Sequence, residues 1–181
     1  MPRPVALVGL PGSGKSTIGR QLARRLGADF IDTDVLIEKR LGETIRAFFE
    51  REGEDRFRQI EHDILRELLA EPRGGVLATG GGIVLRADNR RLLSQGATVV
   101  YLRSSPEDLA RRLRHDRQRP LLQVANPLAK LRELYRVRDP LYREVAHFSV
   151  ETGRPSVALL TQTIATQLEL SGRWPLSAEG A

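Results

Sequence analysis

Cysteine is absent from this 181-residue chain, so disulfide bridges and thiolate metal centres are excluded. Long hydrophobic runs are missing as well, because no apolar stretch approaches the ~20 residues that a membrane-spanning helix needs. The first residues lead directly into a strand-like run, with no apolar signal segment before it. We therefore expect a cytoplasmic protein that does not enter a membrane.

Aromatic residues are scarce too, at 5% of the chain, although the formal net charge is +6. The lysines are few, namely Lys15, Lys39 and Lys130, and every other basic residue except histidine is an arginine. A basic chain can bind nucleic acid, but these arginines are scattered among acidic residues, and few rings are available to stack on bases. The composition favours arginines that bind anionic small molecules over a nucleic-acid interface.

Short apolar runs alternate with amphipathic stretches along the chain, which is the pattern of a parallel α/β fold. The strand-like runs are 4–9, 29–32, 75–79, 97–102 and 147–151. Helices are expected from a start at Ser105 and at 18–27, 35–41, 45–69 with a break at Gly53, 128–142 and 156–170. We predict a single domain over 1–170 with a five-stranded parallel sheet flanked by helices, followed by a disordered tail at 171–181.

The stretch GLPGSGKST at 9–17 stands between the first predicted strand and the first predicted helix. It fits G-x-x-x-x-G-K-[ST], the phosphate-binding P-loop motif, in the context that the motif requires. Backbone N–H groups of such a loop wrap phosphates, Lys15 supplies a charge for the β- and γ-phosphates, and the Ser16 hydroxyl can ligate Mg²⁺. The predicted ATP-binding residues of the loop are Gly12, Ser13, Gly14, Lys15, Ser16 and Thr17.

Two acids, Asp32 and Asp34, come at the end of the second predicted strand. Ligands bind at this edge of a parallel sheet, and residues two apart on a strand face the same side. One carboxylate is then available for Mg²⁺ and the other for an acceptor hydroxyl. A helix N-cap is the alternative, but it accounts for one acid and not for both, so a functional role is favoured.

The signals for a phosphoryl acceptor are weaker one by one. Arg58 and Glu61 are neighbours on one helix face, where the arginine can bind a carboxylate ligand, but an ordinary exposed ion pair explains this spacing better. The glycines at 80–82 follow a strand and allow a ligand to approach the backbone closely. Arg138 adds another arginine ahead of a Pro-Leu-Tyr sequence.

In their order along the chain, these pieces resemble the shikimate kinase family over roughly residues 5–155. A P-loop alone says little about the acceptor, whereas this ordered set is highly specific. The residues that carry the resemblance are 9–17, Asp32-Thr33-Asp34, GETI at 42–45, Gly53-Glu54, Phe57-Arg58, Glu61, Gly80-Gly81-Gly82, Arg119-Pro120-Leu121-Leu122, Arg138 and Pro140-Leu141-Tyr142.

The resemblance implies a P-loop kinase that phosphorylates shikimate with ATP and Mg²⁺. On the acceptor side it implies that Asp34 binds the ring hydroxyls and that Arg58 and Arg138 bind the carboxylate. The residues implied to bring backbone against the substrate are Gly80, Gly81 and Gly82.

On the nucleotide side, the resemblance implies Mg²⁺ ligation by Ser16 and Asp32 and a lid at about 112–124. Arg119 in that lid is implied to close on the phosphates. The residues implied to flank the adenine are Arg112 and Arg154. The residues implied to act in catalysis are Lys15, Asp34 and Arg119.

Other functions are weighed against this one. A kinase for another small hydroxy acid, such as gluconate, is disfavoured by the combination of Arg58, the triple glycine and Arg138. A non-catalytic ATP-binding protein is expected to have lost one of the residues above, and all are present. A nucleic-acid-binding P-loop protein would show salt-dependent retention of DNA or RNA. We expect a monomer with ATP and shikimate as its ligands.

Overall fold

The computed structural model describes residues 2–71, 74–114 and 125–175. Its centre is a five-stranded sheet with the strand order β2-β3-β1-β4-β5. Every pairing in it is parallel, as the alternating pattern predicts. The strands are β1 Val5–Val8, β2 Phe30–Asp32, β3 Val76–Ala78, β4 Thr98–Arg103 and β5 Phe148–Glu151.

Helices cover both faces of this sheet, and the alternation of side chains along β1 shows how. Val5 and Leu7 pack into a cluster with the helices at 15–26 and 157–170, whereas Ala6 and Val8 pack into a cluster with the helices at 54–70, 87–96, 106–113 and 127–145. The helices are α1 Lys15–Leu26, α2 Thr33–Leu41, α3 Ile45–Glu52, α4 Glu54–Ala70, α5 Ala87–Gly96, α6 Pro106–Leu113, α7 Pro127–Val145 and α8 Val157–Leu170.

The strand order places the sequence motifs side by side. Parallel strands present their carboxyl ends at one edge of the sheet, where α/β proteins bind ligands. At that edge β2 ends in Asp32, its neighbour β3 is followed by the triple glycine at 80–82, and β1 is followed by the P-loop at 9–14. The topology therefore gathers at one edge what the sequence separates.

Most predicted elements are confirmed, and the differences have local causes. Helix α2 begins at Thr33, so Asp34 lies in a helix and not on a strand as predicted. Helix α5 was not predicted, because its sequence is poor in apolar residues and no side chain caps its start. Helix α7 continues through Pro140 to Val145, beyond its predicted end at 142.

The predicted tail begins too early, because residues 171–175 pack against the core. The left-handed backbone at Gly172, with φ of 70°, turns the chain back at the end of α8. Backbone N–H groups of Arg173 and Trp174 then donate to the Leu168 carbonyl at 3.0 and 3.2 Å. Trp174 is only 8% exposed and joins the cluster around α1 and α8. The rest of the predicted tail, 176–181, lies outside the described residues.

Two further expectations concern the membrane and the lid. Across the three described ranges, no helix has both the length and the apolar character to cross a membrane. The predicted lid at 112–124 falls within the described residues only as far as Arg114, at the end of α6.

Candidate active site

The P-loop lies between the end of β1 and the start of α1. Gly12 and Gly14 have left-handed φ angles of 85° and 96°, which favour glycine over residues with a Cβ. Lys15, the first residue of α1, folds its side chain over the loop and donates from Nζ to the carbonyls of Gly9 and Leu10 at 2.7 and 3.0 Å. The loop therefore has the backbone shape and the charge that a bound phosphate requires.

Ser16 and Asp32 meet directly below this loop. The Ser16 hydroxyl donates to Asp32 Oδ2 at 2.5 Å, and Asp32 Oδ1 accepts from the backbone N–H groups of Asp34 and Val35 at 3.0 and 3.2 Å. Asp32 is thus the N-cap of α2, as the alternative interpretation expects, and at the same time a hydrogen-bond partner of the P-loop helix. A hydroxyl beside a carboxylate fits Mg²⁺, which prefers a few oxygen ligands completed by water and phosphate.

Asp34 lies in the first turn of α2 and faces the triple glycine. A Cβ at Gly80 would lie 2.8 Å from Asp34 Oδ1 and 3.1 Å from Glu61 Oε2, so only glycine lets the backbone come this close. Burial raises the pKa of Asp34, and the charge of Asp32 adds to the rise, while Lys15 and Arg58 oppose it. The site therefore holds a partly buried carboxyl group in close contact with the backbone of the glycine turn.

Arg58 and Glu61 form a buried pair and not the exposed pair that their spacing favours. Arg58 Nη1 donates to Glu61 Oε1 at 2.9 Å, with side-chain exposures of 15% and 2%. A Cβ at Gly82 would overlap the Arg58 guanidinium. Burial raises the pKa of Glu61, and the positive charge and hydrogen bond of Arg58 act against that rise. The carboxylate of Glu61 thus holds the guanidinium of Arg58 against the glycine loop.

Arg138, on α7, reaches the same loop from the other side. A Cβ at Gly81 would lie 3.3 Å from Arg138 Nη1 and 2.9 Å from Pro11 Cδ. One helical turn after Arg138, the Tyr142 hydroxyl donates to the Gly81 carbonyl at 2.5 Å. The sequence motif included Tyr142 without giving it a role; its spacing of four residues from Arg138 was the signal that both share one helix face.

The predicted adenine residues are placed less uniformly. Arg112 donates to the Thr152 carbonyl and, at 3.5 Å, to the Gly12 carbonyl of the P-loop. Its side chain therefore reaches from α6 both to the phosphate-binding loop and to the turn that follows β5. Arg154 is exposed in that turn, and its role stays a prediction. Arg119 lies outside the described residues.

The P-loop at the edge of a parallel sheet, beside the oxygen atoms of Ser16 and Asp32, defines a P-loop kinase. The two arginines and the carboxyl group around the glycine turn indicate that its acceptor is a small anion. The family model for shikimate kinase matches residues 11–169. The chain belongs to the shikimate kinase family.

Its relatives agree with this membership. A shikimate kinase of Paracidovorax citrulli is 58% identical over 175 residues, which cover 96% of this chain and 96% of that protein. A shikimate kinase of Ralstonia nicotianae is 54% identical over 168 residues, 93% of this chain and 88% of that protein. The solved structure of shikimate kinase from Acinetobacter baumannii in complex with shikimate has a TM-score of 0.88 and 47% identity, and the match covers 98% of this chain and 97% of that one.

Proposed function

We propose that this protein transfers the γ-phosphate of ATP to the 3-hydroxyl of shikimate, giving shikimate 3-phosphate and ADP on the route to chorismate and the aromatic amino acids. The observation that carries the proposal is the arrangement around the glycine turn. Asp34, Arg58 and Arg138 all approach Gly80–Gly82, next to the P-loop. A ring acid with several hydroxyls matches this set, because two guanidinium groups suit its carboxylate and the aspartate suits its hydroxyls.

Phosphoryl transfer depends mainly on positioning and charge. Lys15 lies at the loop where the β- and γ-phosphates bind, and Arg119 is proposed to approach them from the lid. Ser16 and Asp32 are the residues that would hold Mg²⁺. When bound there, Mg²⁺ supplies positive charge against the phosphate oxygens.

Asp34 holds the acceptor hydroxyl on the side of the P-loop. Its raised pKa makes it a better proton acceptor than an exposed aspartate. In a loose transition state the hydroxyl proton is lost late, so orientation of the hydroxyl is the main contribution that we assign to Asp34.

The setting that we propose is a monomer in the cytoplasm, with one kinase domain over 1–170 on which residues 171–175 also pack, and no nucleic-acid partner. Arg112 and Arg154 are proposed to flank the adenine, and Gly12–Thr17 to bind the phosphates. These roles follow from the family to which the chain belongs and from the position of Arg112 beside the P-loop.

The proposed function is tested by following ADP release from purified protein with MgATP and shikimate, gluconate or no acceptor. We expect ADP only with shikimate. Release with gluconate, or without any acceptor, would leave the nucleotide site intact and contradict the assigned acceptor. Binding of ATP without turnover in any reaction would instead favour a non-catalytic ATP-binding protein.

A further inference from the structure

Tyr142 is a buried tyrosine whose hydroxyl touches the glycine turn of the site. It is 0% exposed, and it donates to the Gly81 carbonyl at 2.5 Å, across 61 residues of sequence. Burial raises the pKa of Tyr142 to about 12, although the nearby charge of Arg138 opposes the rise. The phenol is therefore protonated at neutral pH and is available there as a hydrogen-bond donor.

The hydrogen bond joins α7 to the glycine turn, two parts of the acceptor site that are far apart in the sequence. Arg138 and Tyr142 lie on successive turns of α7, and Arg138 Nη1 lies close to Gly81. Gly80 and Gly82, on either side of Gly81, face Asp34 and Arg58 respectively. A shift of α7 relative to this turn would change the distance between the two arginines, and the Tyr142 hydroxyl opposes that shift.

A second buried tyrosine provides a matched comparison. The Tyr101 ring packs on the Tyr142 ring, with centroids 5.0 Å apart. Its hydroxyl also binds α7, through Asp139 Oδ1 at 2.7 Å, but makes no contact with the glycine turn. Loss of the Tyr101 hydroxyl removes its hydrogen bond to Asp139 of α7, whereas loss of the Tyr142 hydroxyl removes its bond to Gly81 and a hydrogen-bond partner of Arg138. Of the two hydroxyls, that of Tyr142 is the one that binds the glycine turn.

We propose that Tyr142 is a positioning residue for the acceptor, which fixes the Gly81 carbonyl relative to Arg138 so that the site is set for a carboxylate before the substrate binds. This inference rests on the proposed function, since the substrate is taken to be shikimate. Tyr142 would act on acceptor binding through Gly81 and Arg138 and not by contacting the acceptor. We therefore expect its loss to weaken the binding of shikimate and not that of ATP.

The test compares Tyr142→Phe with Tyr101→Phe in the full chain. Loss of a buried hydrogen bond that leaves a carbonyl unpaired corresponds to about tenfold in an equilibrium constant. We expect Tyr142→Phe to raise the KM for shikimate about tenfold with the KM for ATP unchanged. Tyr101→Phe should lower Tm about as much as Tyr142→Phe does, because each variant loses a hydrogen bond of a buried tyrosine. It should leave the KM for shikimate near the wild-type value.

Two readouts separate positioning from general destabilisation. Discrimination between shikimate and its methyl ester should fall in Tyr142→Phe and not in Tyr101→Phe, because only the acid engages Arg138 fully. In an Arg138→Lys background, Tyr142→Phe should add little further loss of shikimate affinity, since the two changes act on one interaction.

Equal KM shifts in the two tyrosine variants, or an unchanged KM for shikimate in Tyr142→Phe, would overturn the inference while the proposed function stands. A wild-type protein that fails to phosphorylate shikimate would overturn the proposed function and this inference with it.

Discussion

The nucleotide half of the site occupies one unbroken stretch, 9–17, whereas the acceptor half is assembled from α2, α4, the turn after β3 and α7. In the nucleotide half, adjacent residues and backbone N–H groups bind the phosphates, so the spacing in the sequence defines the geometry. In the acceptor half, Asp34 comes within reach of the glycine turn because β2 and β3 end at a common edge, and Arg138 reaches the same turn from α7, which packs on one face of the sheet. Local chemistry therefore identifies the donor, and the fold is needed to identify the acceptor.

The largest expected effect lies in the nucleotide half. Lys15→Ala removes the charge that faces the transferring phosphate, and removal of one such stabilising group lowers kcat by about 10²- to 10³-fold. Shikimate binding, measured by calorimetry, should be unchanged, because Lys15 belongs to the loop and not to the glycine turn. Lys39→Ala, an exposed lysine on α2, is the control and should behave as wild type. A matching loss of shikimate affinity in Lys15→Ala would break the division into two halves.

A smaller effect, confined to the acceptor half, is expected for Arg58→Ala. It should weaken shikimate about 10- to 100-fold through loss of a charged hydrogen-bonding partner, with ATP affinity nearly unchanged. It should also lower Tm, since Glu61, 2% exposed, loses its partner in the interior. Arg56→Ala, on the same helix but 71% exposed, is the control.

The two consequences of Arg58→Ala can be separated. Adding Glu61→Gln to Arg58→Ala removes the buried charge, so Tm should recover while shikimate affinity does not. Equal loss of ATP and shikimate affinity in Arg58→Ala would show that Arg58 is structural, and would contradict its assignment to the acceptor half.

The smallest effect concerns stability and pH. The folded pKa of Asp34 is raised above the ordinary value of 3.8, so the folded state holds this proton more tightly than the unfolded state. Wild-type stability should therefore fall as pH rises from 3.8 through the raised pKa. Asp34→Asn does not titrate, so its stability relative to wild type should rise across that window, while kinase activity is lost.

Thermal unfolding of wild type and Asp34→Asn at several pH values measures this gain. Asp63→Asn, at a side chain that is 49% exposed, is the control. Glu61 titrates in both proteins, and because the charge of Asp34 adds to the rise of its pKa, Asp34→Asn should also reduce the contribution of Glu61 to the pH dependence. A difference in Tm that stays constant across the pH range would contradict a raised pKa for Asp34.

Whether a structural feature can be predicted from the sequence depends on how far apart in the chain the interacting residues are. The alternating pattern predicts the five strands, and the P-loop defines its own geometry. Spacing could not decide whether Arg58 and Glu61 form a surface pair or a buried one, because burial depends on the loop that covers them. The packing of Trp174 is not predicted for the same reason, since the cluster that it joins includes residues of α1 and β1 that are distant in the chain.

Asp32 carries a consequence for what this chain can vary. One oxygen begins α2 and the other binds Ser16. Asparagine would begin the helix as well but lacks the negative charge, and glutamate keeps the charge on a side chain that is a poorer cap. Aspartate combines the short capping side chain with the negative charge. We therefore expect no neutral substitution at position 32, because asparagine keeps only the cap and glutamate keeps only the charge.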